Sequence, residues 1–177
     1  IGGVDAVSNA THVRPTLGVM VHEPLAYLEL TPYENLRFFG KLYGVADLHQ
    51  RITALLNAVG LTQFTHEQMK FFSRGMTQRF MIAKALIHDP LLLFLDEPFS
   101  GLDANAKRLL LKRIESERSH GKGIVLTTHD TELGYVTGSR FLFLINGTIE
   151  TVATRDEIKA YELSHRYEKS LMDVKIK

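Results

Sequence analysis

LLLFLDEPFSGLD, residues 91–103, runs through five apolar residues and then sets two carboxylates, Asp96 and Glu97, side by side against Pro98. A continuous apolar run of strand length is expected for a strand covered on both faces, as in a parallel sheet. Such a strand releases its polar residues at its C-terminal end, which is where open α/β sheets bind ligands. An Asp at that end can hold Mg²⁺ through its water shell, and a neighbouring Glu can orient or deprotonate an attacking water in phosphoryl transfer. The plain alternative for the pair is a solvated loop entrance after a core strand.

Downstream, strands and helices alternate. Asp103 can cap a helix from Ala104 to about Ser119, Gly121 and Gly123 break it, and GIVLTT (123–128) makes another buried strand. A short helix from Asp130 and a strand FLFLI (141–145) follow. Asn146–Gly147 predicts a tight hairpin to TIETVA, and the rest reads as a polar amphipathic helix. Upstream, RPTLGVMVHE (14–23) reads as a short buried strand with Val19 and Val21 in register, ended by Pro24. Helices fill the interval. In TPYENLRFFGKLYG, Thr31 is an N-cap, Pro32 fits the first helical position, Glu34 completes a capping box and Gly44 marks the far end. A second helix runs from Asp47 to Val59, stopped by Gly60, and a third starts near Ser73 and stops before Asp89–Pro90. Phe80, Met81, Ala83 and Leu86 fall at helical spacing as core. The class is α/β with an all-helical insertion over residues 31–90.

The chain has 177 residues, one ordinary domain by the usual ~100–200 residues per domain. A chain of that size buries roughly 70% of its unfolded surface, so it needs no covalent staples. It has no cysteine, which excludes a disulfide scaffold and thiolate metal sites and agrees with a reducing compartment. Lys and Arg number 21 against 20 acidic residues, a net charge of +1 that favours neither nucleic acid nor bare anionic lipid. Nothing approaches the ~18 apolar residues of a membrane span. The opening IGGVDAVSNATHVRP has neither an initiator methionine nor a signal-peptide pattern, and predicts a chain incomplete at its N-terminus.

Three further motifs follow the same chain: FSRGMTQR (72–79), SGLD (100–103) and TTHD (127–130). Ser73 and the amides near Gly75 would open a helix, and a helix N-terminus with a glycine allowing close approach is a natural phosphate cradle. Each motif alone has a plain reading. SRG could be a simple N-cap with an exposed arginine, Asp103 only a cap, and His129 a core histidine satisfied by a carbonyl.

With LLLFLDEP, in this order and spacing, the three resemble the ATP-binding subunit of an ABC transporter, over nearly the whole chain. The resemblance implies a P-loop NTPase-like ABC ATPase core, α/β with a partial, mostly parallel sheet and an inserted helical subdomain. It makes residues 1–177 a single domain, with 31–90 the helical subdomain, 91–153 the core from the Walker B strand to the hairpin, and 154–177 a C-terminal helix. Its cofactors are ATP and Mg²⁺. Glu97 is then the catalytic base, Asp96 the indirect Mg²⁺ ligand, and His129 the γ-phosphate sensor. Ser73, Arg74, Gly75 and Gln78 belong to the signature motif, which contacts ATP held by a second ATPase subunit, and Asp103 reaches across the same dimer. The other partner is a transmembrane permease, with the subunit peripheral on the cytoplasmic face of the membrane.

Departures from the family pattern are specific. Arg74 replaces the first signature glycine and Met76 the glutamine. At the Q-loop, MVHEP (20–24), His22 stands where glutamine is usual. A neutral imidazole can bind a metal-bound water but has no amide oxygen to ligate Mg²⁺ directly. His22, SRGM and LTPYENLRFFGKLYGV together resemble the haem-exporter subunits of cytochrome c maturation, although SRGM is shared with exporters of drugs, ions and polysaccharides. No G-x-x-x-x-G-K-S/T match occurs in these residues, so the lysine for the β- and γ-phosphates and the hydroxyl for Mg²⁺ are missing from them. IGGVDA resembles the hairpin that follows the phosphate loop and its helix, which implies truncation. Two alternatives stand beside the transporter reading. A non-transport ABC ATPase acting on DNA or ribosomes is opposed by the compact insertion, the near-neutral charge and the absence of coiled-coil arms. A nucleotide-free scaffold subunit is separated by the sequence upstream of Ile1.

Overall fold

The computed structural model describes the backbone of residues 1–175 and side chains as far as Glu168. The chain divides into two compact units, one spanning Ile1–Thr127 and one from Thr128 onward.

Helix α1 (Ala10–Val13) and a short 3-10 turn at Arg14–Thr16 lead into strand β1 (Leu17–Met20). Helices α2 (Pro32–Leu42), α3 (Leu48–Ala58) and α4 (Arg74–Leu86) follow. Strand β2 (Leu92–Asp96), helix α5 (Ala104–Ser119) and strand β3 (Gly123–Thr127) complete the unit. The three strands form one parallel sheet in the order β1-β2-β3, with Met20 beside Leu95 and Asp96 beside Thr127. The acidic pair therefore leaves the C-terminal edge of the central strand.

Local chemistry sets most helix ends. Thr31 and Glu34 make the reciprocal capping box at α2 with Pro32 at its first turn. The Ser73 and Asp103 side chains accept from the third amides of α4 and α5. Gly44 and Gly60, at φ 67, stop α2 and α3 in the left-handed region. Helix α4 buries Phe80, Met81, Ala83 and Leu86 almost completely against the sheet and the neighbouring helices.

Four expectations are corrected. The first strand is shorter than residues 14–23, because Pro15 sits in a 3-10 turn and the ladder ends at Met20. Its buried residues are Gly18 and Met20, not Val19, which is 43% exposed. The sheet is covered on one face only among the described residues: Val19, Phe94 and Val125 are register partners on the other face, and Val125 is 49% exposed. IGGVDA forms turns and no hairpin, because Asp5 Oδ1 accepts from the Val7 amide at 2.8 Å and curls the chain back locally.

A charged relay ties α5 to the start of β3. Glu117 is buried and pairs with Arg113 and with Lys122 Nζ at 2.6 Å, and Lys122 reaches on to Asp89 at 2.5 Å. Close by, His88 Nε2 donates to the Leu17 carbonyl at 2.8 Å while its ring stacks on Tyr43 at 3.9 Å. Burial holds the His88 imidazole below its ordinary pKa, with Lys122 and Arg51 acting in the same direction and the Leu17 carbonyl and Asp89 against it. The folded state then takes up fewer protons than the unfolded state, so this contribution to stability is complete above the unfolded value near 6.5 and is lost as pH falls below it. Urea unfolding of wild type across that window should show the decline, and His88→Gln, which keeps a donor for Leu17 but does not titrate, should remove that component.

In the second unit, helix α6 (Thr131–Thr137) is capped by Asp130, and strands β4 (Arg140–Ile145) and β5 (Thr148–Thr154) pair antiparallel. Their turn places Asn146 at φ 49 and Gly147 at φ 78, the left-handed pair that a two-residue hairpin requires. Phe141, Ala153, Ile158 and Leu163 form its core, the last from helix α7 (Ala160–Lys175). Arg155 Nη2 donates to the carbonyls of Tyr135, Val136 and Gly138 and so closes the C-terminal end of α6. Residues 176–177 of the expected C-terminal helix lie outside the described residues.

Candidate functional site

Asp96 ends β2 and is half-buried, with Oδ1 accepting from Thr127 Oγ1 at 2.5 Å. That bond leaves the other carboxylate oxygen for a metal-bound water. Glu97 follows at φ 47, in the left-handed region that side chains enter only when their surroundings hold them there. Bonds from two other elements fix its main chain. The Glu97 amide donates to Thr127 O and to Thr127 Oγ1, both at 3.1 Å, and Gln78 Nε2 donates to the Glu97 carbonyl at 2.9 Å.

Helix α4 brings the SRGM stretch to the same place. Ser73 caps it, no acidic residue occupies its first turn, and Arg74 adds a positive charge at its start, so this helix end is polarised for an anion. Gly75 packs beside Gly101, with room for a Cβ only at 3.3 Å from the Gly101 carbonyl. Arg74 Nη2 donates to Ser100 Oγ at 2.8 Å, which joins the signature segment to SGLD. A cleft of about 240 Å³ is lined by His22, Phe72, Arg74, Thr77, Gln78 and Ser100 among others. His22 is exposed there, two residues beyond the end of β1.

The first unit thus brings together His22, Arg74 and Gln78 in the cleft, with Gln78 also bonded to Glu97 and Thr127 bonded to both acids. Asp103 spends one oxygen as the cap of α5, accepting from the Ala106 amide at 2.8 Å. His129 lies in the second unit, exposed, between Thr128 and the Asp130 cap, and the Thr128 hydroxyl accepts from the Asp130 amide at 3.0 Å. Thr127 was not singled out from sequence. Its signal was available, because a threonine ending a strand that pairs with the Asp96 strand can reach that carboxylate.

Among the described residues no group of three or more His, Asp or Glu side chains is placed to hold a metal. Asp96 fits Mg²⁺ in the way such ions prefer, through one carboxylate, retained water and phosphate oxygens. For ATP, the α4 N-terminus offers amides and a guanidinium.

Comparison with known proteins bears on the family and the fold. The ABC transporter family model matches residues 3–100. A fluoroquinolones export ATP-binding protein of Mycobacterium tuberculosis is 41% identical over 145 residues, 81% of this chain and 47% of that protein. A Nod factor export ATP-binding protein I of Cupriavidus pinatubonensis is 38% identical over 70% of this chain and 38% of its own length. The chain spans about half the length, or less, of these relatives. A solved ATP-binding subunit of an ABC transporter superposes with a TM-score of 0.84 at 28% identity, covering 95% of this chain and 75% of that one. A dimeric ATP-binding cassette bound to ADP and Pi shares the fold, with a TM-score of 0.76 at 22% identity over 86% of this chain and 68% of its own. No helix among the described residues is long and apolar enough to cross a membrane. The ABC ATPase fold, the family match and the order of the motifs agree: this chain belongs to the ABC transporter family, in its ATP-binding part.

Proposed function

We propose that this chain is part of an ATP-hydrolysing subunit that works as a nucleotide-sandwich dimer on the cytoplasmic face of a membrane and drives export through a permease. The observation that carries the reading is the fixed pair at the end of β2. Asp96 keeps one oxygen for a Mg²⁺-bound water, and the Glu97 peptide is clamped so that its carboxylate leaves the strand in one direction. When bound, Mg-ATP supplies the phosphoanhydride and the charge neutralisation that phosphoryl transfer needs. Glu97 takes the proton of the attacking water, and Asp96 orients the metal's water shell. Ser73, Arg74 and Gly75 serve the nucleotide of the opposing subunit, Asp103 reaches the dimer partner, and His129 contacts the γ-phosphate.

Export as the common act is supported by the relatives, whose names pair one ATPase frame with fluoroquinolones in one case and Nod factors in another. Cargo choice then lies with the permease. The haem reading rests on His22, SRGM and LTPYENLRFFGKLYGV. The 31–90 insertion is the permease-facing subdomain. Leu25, Tyr27, Leu28 and Phe38 are exposed at its entrance, and the Tyr27 and Phe38 rings meet edge to face at 5.2 Å. That apolar surface begins three residues after His22, which links it to the cleft.

The test is ATPase rate in the full-length protein, alone and with its reconstituted permease. Wild type should be stimulated by the permease. His22→Gln should keep hydrolysis within about tenfold, roughly 1.4 kcal/mol in barrier. His22→Ala should lose most of the stimulation, and equal stimulation in wild type and His22→Ala would remove His22 from the coupling path. No hydrolysis by wild type, alone or with the permease, would leave the scaffold reading.

A further inference from the structure

One helix holds both ends of the turn that carries Glu97. Arg74 and Gln78 stand four residues apart on α4 and so leave the same face. Arg74 holds Ser100 through its hydroxyl at 2.8 Å, and Gln78 holds Glu97 through its carbonyl at 2.9 Å. Between these points Glu97-Pro98-Phe99-Ser100 folds into a turn closed by the Ser100 amide on the Glu97 carbonyl at 3.1 Å. That carbonyl is thus shared by the turn's own amide and by the α4 side chain. Left to itself, a residue before proline favours extended backbone. Glu97 instead sits at φ 47, so its conformation is imposed from outside the turn. Its amide side is fastened by Thr127 and its carbonyl side by Gln78.

We infer that Gln78 is a positioning residue, whose amide nitrogen locks the Glu97 peptide in the left-handed turn and so aims the catalytic carboxylate. The inference deepens the ATPase reading and rests on it. It differs from the nucleotide contact that family resemblance implies for Gln78, because here the donor is directed at the residue's own chain. It also puts the helix whose first turn serves the opposing subunit's nucleotide in direct contact with this subunit's own base.

The two roles give opposite kinetic signatures in the full-length protein. Gln78→Met keeps the length and removes the donor, and Gln78→Glu keeps the shape and removes it too, so one variant stands in if the other folds poorly. A positioning role predicts that kcat falls about tenfold while KM for ATP stays within about twofold and ATP-driven dimerisation persists. In a Glu97→Gln background, single-turnover hydrolysis should show no further loss, since the group being aimed is already gone. A raised KM with lost dimerisation would make Gln78 a nucleotide ligand and overturn the inference. Unchanged kcat, or the same fold-loss in the Glu97→Gln background, would overturn it as well. A wild-type protein that hydrolyses no ATP would remove the ATPase reading itself, and the inference with it.

Discussion

Glu97→Gln in the full-length protein is expected to lower ATP hydrolysis by about 10²–10⁴-fold while ATP-driven dimerisation persists. The magnitude is that of losing a general base. The structure explains why the rest of the site should survive. Gln78 and Thr127 hold the main chain of Glu97, at 2.9 Å and 3.1 Å, and an amide side chain leaves those bonds in place. The left-handed backbone at φ 47 costs glutamine no more than glutamate. Single-turnover hydrolysis and size-exclusion chromatography with ATP measure the two halves of the expectation. Loss of nucleotide binding together with hydrolysis would make Glu97 a structural residue.

Gly18→Ala is expected to cost about 3 kcal/mol of folding stability, at the upper end of overpacking effects. A Cβ at Gly18 would fall well inside the contact radius of the Ala85 carbonyl, 2.6 Å from Leu93 Cδ2 and 2.8 Å from Pro90 Cγ. The first obstacle is backbone and the last is a ring, so neither can swing aside. Gly18 also lies in the middle of β1, whose pairing with β2 sets where Asp96 ends. Urea unfolding followed by circular dichroism measures the loss, and a change below about 0.5 kcal/mol would mean that α4 and β1 are separable there.

What the sequence made legible was whatever neighbours in the chain decide. Thr31, Pro32 and Glu34 sit within one turn of one another, and the capping box follows from them alone. The bounds of α5, Ala104 to Ser119, are written by the Asp103 cap and by the glycine after His120. The order of the four motifs carried the family. What was hidden depends on partners far along the chain. Val19 and Val21 look like the inward residues of β1, yet Gly18 and Met20 point inward because α4 and Pro90 approach Gly18 too closely for any side chain. The bond from Gln78 to Glu97 spans 19 residues and the one from Thr127 to Asp96 spans 31. A motif can name such residues, but only the packing of α4 and β3 on β2 shows what their polar atoms touch.

The tight turn between β4 and β5 has a consequence for chemical ageing. Gly147 has no side chain to shield its amide nitrogen, which can attack the Asn146 side-chain amide, expel ammonia and close a succinimide ring; water then opens the ring, mostly to isoaspartate. Both residues are among the exposed ones, so water reaches the ring freely. The product carries a new negative charge and an extra carbon in the main chain. A two-residue connection that depends on φ 49 followed by φ 78 has no slack for that carbon, and Ile145 and Thr148 lose their register. Long-stored protein will therefore acquire an acidic species whose damage starts at the tip of this hairpin, remote in sequence from Asp96 and Glu97.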